Sequence, residues 1–307
     1  MSQSVLTNIS SSVKKGITPR SLVSKNMAPY VFLTPFVIVF VVFMVYPILD
    51  SLYLSFTSAQ GSTSDWIGLA NFKNVLTDGL FWKSLGNTAI ILVVQVPIML
   101  FLGTLLAASL NSKFVKARVV FRLAVFLPVL IDLVTYSIVF SIIFNTQYGI
   151  LNYLLGLIHI APVQWLQNAV WAKIAIIVAI TWRWTGYNAI ILLAGLQAVP
   201  ETLYEAANVD GASRVKQFFF ITIPMLKPIL LFCGILSTIG TLQLFTEPFL
   251  LTNGGPNNAT ETPVMYIYQF AFQSFHFGYA SAAAYVLTIL IAILSYVQIR
   301  VTKGGEL

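Results

Sequence analysis

Charge is what this chain has least of. Asp, Glu, Lys and Arg make up 9% of its 307 residues, against about 25% in an ordinary soluble domain. Apolar residues reach 58%, so a water-soluble globule is excluded and a bilayer is the solvent to reason with. Cysteine is nearly absent: Cys233 stands alone inside an apolar run, which excludes an internal disulfide and reads as a buried small hydrophobe. The two histidines, His159 and His276, have no carboxylate or cysteine at ligand spacing and read as surface or interface residues rather than metal ligands. No GxxxxGK[ST] phosphate loop occurs, so the chain should not itself bind and hydrolyse ATP, and no nucleophile and base stand out together. Short alternating segments of the kind a β-barrel needs are missing too. The net charge of +7 is spread over several loops without a basic, aromatic-interleaved stripe, which speaks against nucleic acid.

What is present is a series of apolar stretches, each near the roughly 20 residues that cross a hydrocarbon layer. They run over about Tyr30 to Leu49, Thr88 to Leu110, Phe121 to Phe144, Val170 to Leu196, Pro228 to Leu251 and Ala280 to Val301. The expected fold class is all-α, a polytopic membrane protein with six transmembrane helices; residues 27–307 form one membrane domain behind a polar, Ser-rich tail, 1–26. Positive residues mark the cytoplasmic side. Lys14, Lys15, Arg20 and Lys25 in the tail, and Lys113, Lys116, Arg118 and Arg122 after the second stretch, place those segments inside. The loops after the third and fifth stretches fall outside, and Lys73 and Lys83 in the first outer loop are offset by Asp65 and Asp78. Both termini are then cytoplasmic. Outside, Leu151, Leu154, Leu155 and Ile158 have the spacing of a short interfacial helix. Asn253, Gly254, Gly255 and Pro256 signal a turn. Tyr266, Tyr268, Phe270, Phe272, Phe275 and Tyr279 suit an interfacial aromatic belt.

One inner loop has a shape of its own, EAANVDGASRVKQFFFITIP from Glu205 to Pro224. Thr202 and Glu205 have the spacing of a capping box, which starts a short helix at about Leu203. Ala206 and Ala207 leave room for another surface to approach the backbone, and Gly211 supplies a turn. Ser213 can cap a second helix running to about Ile221, which Pro224 should stop.

This pattern resembles the EAA loop of membrane permease subunits of binding-protein-dependent ABC importers: EAA, three residues, Gly, nine residues, then Ile, any residue, Leu, Pro, with Ile223 standing where the pattern has Leu. The strings LTNGGPNNAT, YIYQFAF and GYASAAA, together with TWRWTGYNAIILLAGLQAVPETLYEAANVDGA, FLTPF and YPILDSLYLSF, are similar to sugar permeases of the maltose and multiple-sugar type. The likeness covers nearly the whole chain from Tyr30 onward. It implies a type I ABC importer permease fold in a bacterial or archaeal cytoplasmic membrane. It implies a coupling loop over 200–228 in which Glu205, Ala206, Ala207, Asp210, Gly211, Ile221 and Pro224 engage an ATPase. The implied partners are a second homologous permease, two copies of an ABC ATPase subunit and an extracytoplasmic sugar-binding protein. ATP and Mg would be bound by the partner subunits, with no cofactor in this chain.

The polar residues within the apolar stretches are the substrate-path candidates, since a charge in the bilayer is costly. Asp132 and Arg183 fall mid-stretch in the third and fourth. Asp132 shares a face with Pro128, Thr135 and Tyr136; Arg183 lies one turn from Tyr187, and Trp184 one turn from Asn188. Either the two charges pair and fix the bundle, or they line a watery path in which Trp184 or Tyr187 stacks on a sugar ring. Ser237, Thr238 and Thr241 form a strip in the fifth stretch. Gln243 lies one turn before Glu247, which reads as a solvated or gate-lining residue at the outer end. Gln95 and Pro97 suggest a local kink in the second. The expected function is sugar import. A glycerol-phosphate permease with Arg183 on the anion, and an ion-coupled carrier with Asp132 as its ion site, are the rivals.

Overall fold

The computed structural model describes residues 27–303 except 62 and 113–115. The expected tail of 1–26, with its four basic residues, and Lys113 lie outside the described residues. By contacts the chain divides at Asp50 into two units. The first contains α1 (Ala28–Phe40), a π-helical turn at Val41–Val45 and the start of α2 (Tyr46–Ser55). Its large apolar side chains, Phe32, Phe36 and Phe43 among them, are exposed all round, as lipid-facing side chains are.

The second unit, from Ser51 on, is helical; the bridges at Thr57 with Trp66 and Gln60 with Thr63 are isolated. It contains α3 (Ala70–Thr77), α4 (Gly79–Asn111), α5 (Arg118–Leu130), α6 (Leu133–Ile143), α7 (Ile150–Leu157) and α8 (Ala169–Leu196). There follow α9 (Glu201–Val209), α10 (Arg214–Gln217), a π-helical Phe218–Thr222, α11 (Ile223–Leu242), α12 (Thr246–Thr252), α13 (Pro263–Tyr268), a further π-helical turn at Gln269–Gln273, and α14 (Phe277–Lys303). Among the described residues, 5 helices are long and apolar enough to cross a membrane, or 6 if the bent pair α5 and α6 counts as one span.

The centre is α8, the most buried span, packed chiefly on α4 and also on α5 and α11. Five of its buried positions are Ala or Gly: Ala172, Ala175, Ala179, Gly186 and Ala189. Small residues let helices approach where lipid offers no hydrophobic drive. At Gly186 any Cβ would collide with the carbonyl of Val125 on α5, so that crossing requires glycine. Ile91, Tyr136, Phe140, Phe144, Ile176 and Ile180 form the main apolar cluster, and Cys233 is buried with Ala107, Leu110, Leu192 and Leu193.

Three expectations need correction. The third stretch is two helices, α5 and α6, meeting at 94°. The fifth begins earlier and ends earlier than expected, as a helical run over Arg214–Leu242. Leu242 packs against Leu287 and Ile291 well inside α14, so α11 stops part-way along it. Pro224 does not stop the helix: the π turn before it shifts the register, with Ile223 N–H bonded to the Phe218 carbonyl, and absorbs the proline at the start of α11.

The aromatics after Pro263 also pack inward more than a belt would. Tyr266 is buried with Phe81 and packs at a tilt against Phe270 and Tyr279, although Phe272 and Phe275 are exposed. Their anchor is Asp78, the cap of α4, which accepts from Leu80 N–H at 2.7 Å and from Tyr266 Oη at 2.6 Å. Burial alone would raise the Asp78 carboxyl, but these bonds, with one from Tyr279, hold it below its ordinary value.

Candidate functional site

The corner between α5 and α6 is built from both sides of a break. A helix end leaves carbonyls or N–H groups without partners, and inside a membrane protein something must supply them. Asp132 caps α6, its Oδ2 accepting from Val134 N–H at 2.9 Å and Thr135 N–H at 3.1 Å. Arg183 reaches from α8 to the end of α5, donating to the carbonyls of Ile131 at 2.7 Å, Val129 at 3.1 Å and Pro128 at 3.4 Å. The cation thus sits at a helix C-terminus and the anion at a helix N-terminus, each favoured by the local dipole. The two do not form the ion pair considered from the sequence. Asp132 is exposed, while Arg183 is 5% exposed with its guanidinium 4.9 Å from the ring centroid of Tyr136.

Tyr136 carries this support one step further, donating from Oη to Glu247 Oε1 at 3.0 Å. Glu247, expected as a solvated or gate-lining residue, is 3% exposed, so the solvated reading does not hold. Leu244 and Phe245 interrupt the helix after Gln243, so Glu247 belongs to the separate α12, folded back beside α6 and α8. The same interruption breaks the one-turn relation between Gln243 and Glu247.

Between these elements lies a cavity of about 360 Å³. Trp184, Tyr187, Asn188, Gln243 and Glu247 line it, so the structure brings together five residues predicted as a substrate path. Asp132, Tyr136 and Arg183 do not line it; Tyr136 and Arg183 stand behind the wall. Gln95 is a lining residue whose significance the sequence did not reveal. α4 continues as helix through Pro97. Gln95 is buried, accepts from Thr241 Oγ1 at 3.3 Å and donates to Met99 Sδ at 3.1 Å. An amide on an otherwise apolar helix face was the available signal. Ser237 and Thr241 line the cavity too, whereas Thr238 turns away to Gln298 on α14. Trp184 and Tyr187 meet edge to face, 5.7 Å between centroids, and Asn188 donates to the Trp184 carbonyl at 3.0 Å. The result is an indole beside amides, hydroxyls and one carboxyl, a lining able to pack an apolar ring face and bond several hydroxyls at once.

The second candidate site, the loop from Glu205 to Pro224, is two helices about a turn. α9 starts at Glu201, earlier than expected, after Pro200 and without a side-chain cap, so Thr202 and Glu205 do not form the capping box. Proline at that position fixes a backbone ready to enter a helix. Gly211 has φ +69 and makes the turn, and Ser213 caps α10 through Lys216 N–H at 3.4 Å. Glu205, Ala206, Asp210, Gly211 and Pro224 are exposed and Ala207 and Ile221 half-buried. Val209, Val215 and Phe220 expose apolar surface beside them.

Residues 99–302 match the family described as "Binding-protein-dependent transport system inner membrane component". The lactose transport system permease protein LacF of Rhizobium radiobacter is 45% identical over 273 residues, covering 88% of this chain and 92% of that one. The arabinooligosaccharides transport system permease protein AraP of Bacillus subtilis is 36% identical, covering 91% of this chain and 90% of its own. Among solved structures, a bacterial alginate ABC transporter in complex with an alginate pentasaccharide-bound periplasmic protein contains a chain that superposes with a TM-score of 0.79 at 22% identity, covering 91% of this chain and 96% of that one.

Proposed function

The chain belongs to the inner membrane components of binding-protein-dependent transport systems, and from that premise we propose that it passes a neutral or oligomeric saccharide through the cavity beside Trp184. It is a permease subunit of an ABC importer and not an enzyme; ATP hydrolysis falls to separate ATPase subunits. The observation that carries the saccharide reading is the cavity lining. An indole face suits the C–H face of a pyranose, and Gln95, Asn188, Thr241, Gln243 and Glu247 offer donors and acceptors to its hydroxyls. Related permeases named for lactose and arabinooligosaccharides support that class.

The working assembly, on this reading, is a second homologous permease beside this one, two ATPase copies beneath, and a sugar-binding protein outside. Both termini and α9 face the cytoplasm, as Lys116, Arg118, Arg122, Arg214 and Lys216 near the ends of α5 and α10 favour. Exposed Glu205, with Ala206 and Val209 on the same short helix, is the surface the ATPase grips. Closure of the ATPase pair on ATP then rocks the spans, the binding protein releases sugar into the cavity, and hydrolysis lets it leave inward. The glycerol-phosphate reading is disfavoured because Arg183 is committed to the α5 carbonyls behind the cavity wall. Asp132 is likewise committed as a helix cap, which leaves the ion-coupled reading no buried carboxylate there.

Reconstitution of the whole complex tests both halves. Glu205→Lys and Gly211→Pro should insert normally and abolish ATP-dependent sugar uptake, proline being barred from φ +69. Trp184→Ala should leave ATPase attachment intact and weaken the sugar step by about tenfold, the loss of one stacked aromatic. Normal uptake in the loop variants would overturn the coupling assignment, and an unchanged sugar step in Trp184→Ala would overturn the cavity.

A further inference from the structure

No residue of α9 is fully buried, Tyr204 and Ala207 being half-buried. Two polar bridges tie it to α10 and the foot of α11. At one end Gln217 donates from Nε2 to Asn208 Oδ1 at 2.7 Å and to the Ala212 carbonyl at 3.0 Å. At the other, the hydroxyls of Tyr204 and Thr222 lie 2.9 Å apart in a hydrogen bond. Gln217 and Thr222 are both buried in a loop whose other polar side chains are mostly exposed.

Geometry explains why both bridges form together. Tyr204 and Asn208 are separated by one α-helical turn and share a face of α9. Gln217 and Thr222 are five positions apart, which in an α-helix would leave them roughly 140° out of line. The stretch between them is the π-helical Phe218–Thr222, whose wider i→i+5 turn brings the two side chains back towards one face. The π turn therefore does more than accommodate Pro224: it aligns the foot of α11 with α9.

We propose that Gln217 and Tyr204 are positioning residues that lock α9, α10 and the foot of α11 into one lever, so that a displacement of α9 is delivered to the cavity wall. That wall includes Leu236, Ser237, Gly240 and Thr241, all on α11. The turn at Gly211, which also joins α9 to α10, is a backbone position free to bend. The inference rests on the coupling reading above, and names how the grip on α9 reaches the cavity.

The test is a distance measurement between spin labels in the assembled complex, with Cys233→Ala to remove the native thiol. One label goes at Val209→Cys on α9 and one at Phe232→Cys on α11, both exposed positions. The intact lever predicts one narrow distribution that stays the same in the nucleotide-free and the ATP-vanadate-trapped complex. Gln217→Ala with Tyr204→Phe should broaden it by about twofold or more and make it change between the two states. Tyr204→Phe alone, which deletes a single hydroxyl and keeps the ring, should broaden it less and serves if the double variant fails to assemble. A wild-type distance that already varies between states, or variants that match the wild type, would overturn the lever. A separate label on the ATPase reads the underlying assumption: failure of Val209→Cys to lie near it would sink the coupling assignment, while the intrachain pair still reports on the bridges.

Discussion

The middle of the third span and the N-terminal foot of the fifth are treated in opposite ways by the fold. At Asp132 a long apolar run turns through 94°, while at Pro224, where a stop is written into the chain, helix continues from Arg214 to Leu242. The difference lies in who supplies the backbone partners. A sharp break within a span exposes carbonyls and N–H groups that lipid cannot satisfy, so it persists only where side chains reach them. Arg183 and Asp132 do that at the corner. At Pro224 the lost N–H is absorbed by a change of register within the same helix, which needs no outside partner.

That comparison can be broken most severely at Arg183. Arg183→Leu should leave the half-buried carbonyls at the end of α5 without donors, at up to about 1–3 kcal/mol for each group so orphaned, and the protein should accumulate poorly in the membrane or melt below the wild type. Arg183→Lys should fall between, because one ammonium cannot match a planar fork that bonds carbonyls of three residues. If Arg183→Leu retained wild-type thermal stability, the corner would not depend on it. The smaller partner is Asp132: Asp132→Asn should be close to neutral, since the amide oxygen still caps, and Asp132→Ala should lower the melting temperature measurably but less than either Arg183 variant.

Two carboxyls outside the spans should show opposite pH dependence, and smaller effects again. Asp78 is held below its ordinary value, so the stability it contributes is full at neutral pH and is lost as pH falls through that lowered value. Asp78→Asn should flatten the acid limb of a melting-temperature profile. Burial pushes Glu261 up, against a lowering bond from Gln269, so its contribution is full in acid and is lost as pH rises from the ordinary glutamate value through the raised one. Glu261→Gln should therefore gain stability relative to wild type above that window. Parallel slopes for the two variants would contradict the placement of these groups.

The residues legible in the sequence were those whose environment is local. Gly211 at its turn, Ser213 as a cap, the α7 helix and the fourth span from about Val170 to Leu196 depend on neighbours a few positions away, and the chain names them directly. Trp184, Tyr187 and Asn188 could be picked out because helical spacing placed them near one another. The solvated reading of Glu247 failed because its burial depends on α12 folding back after a break at Leu244 and Phe245, to which Pro248 in the first turn of α12 was the local signal. Gln95 was passed over because its partner, Thr241, is 146 residues away.

Composition and spacing by themselves determined that this chain lives in a bilayer, crosses it with helices and presents a short helix–turn–helix loop. Those properties follow from hydrophobicity and local backbone chemistry, which need no knowledge of distant contacts. Only the tertiary structure decided that Asp132 and Arg183 serve helix ends instead of each other, that Glu247 faces a cavity, and that α9 is bridged to the foot of α11. In each case a polar group in an apolar surrounding takes whichever partner the packing brings within hydrogen-bond reach, and sequence distance says little about which one that will be.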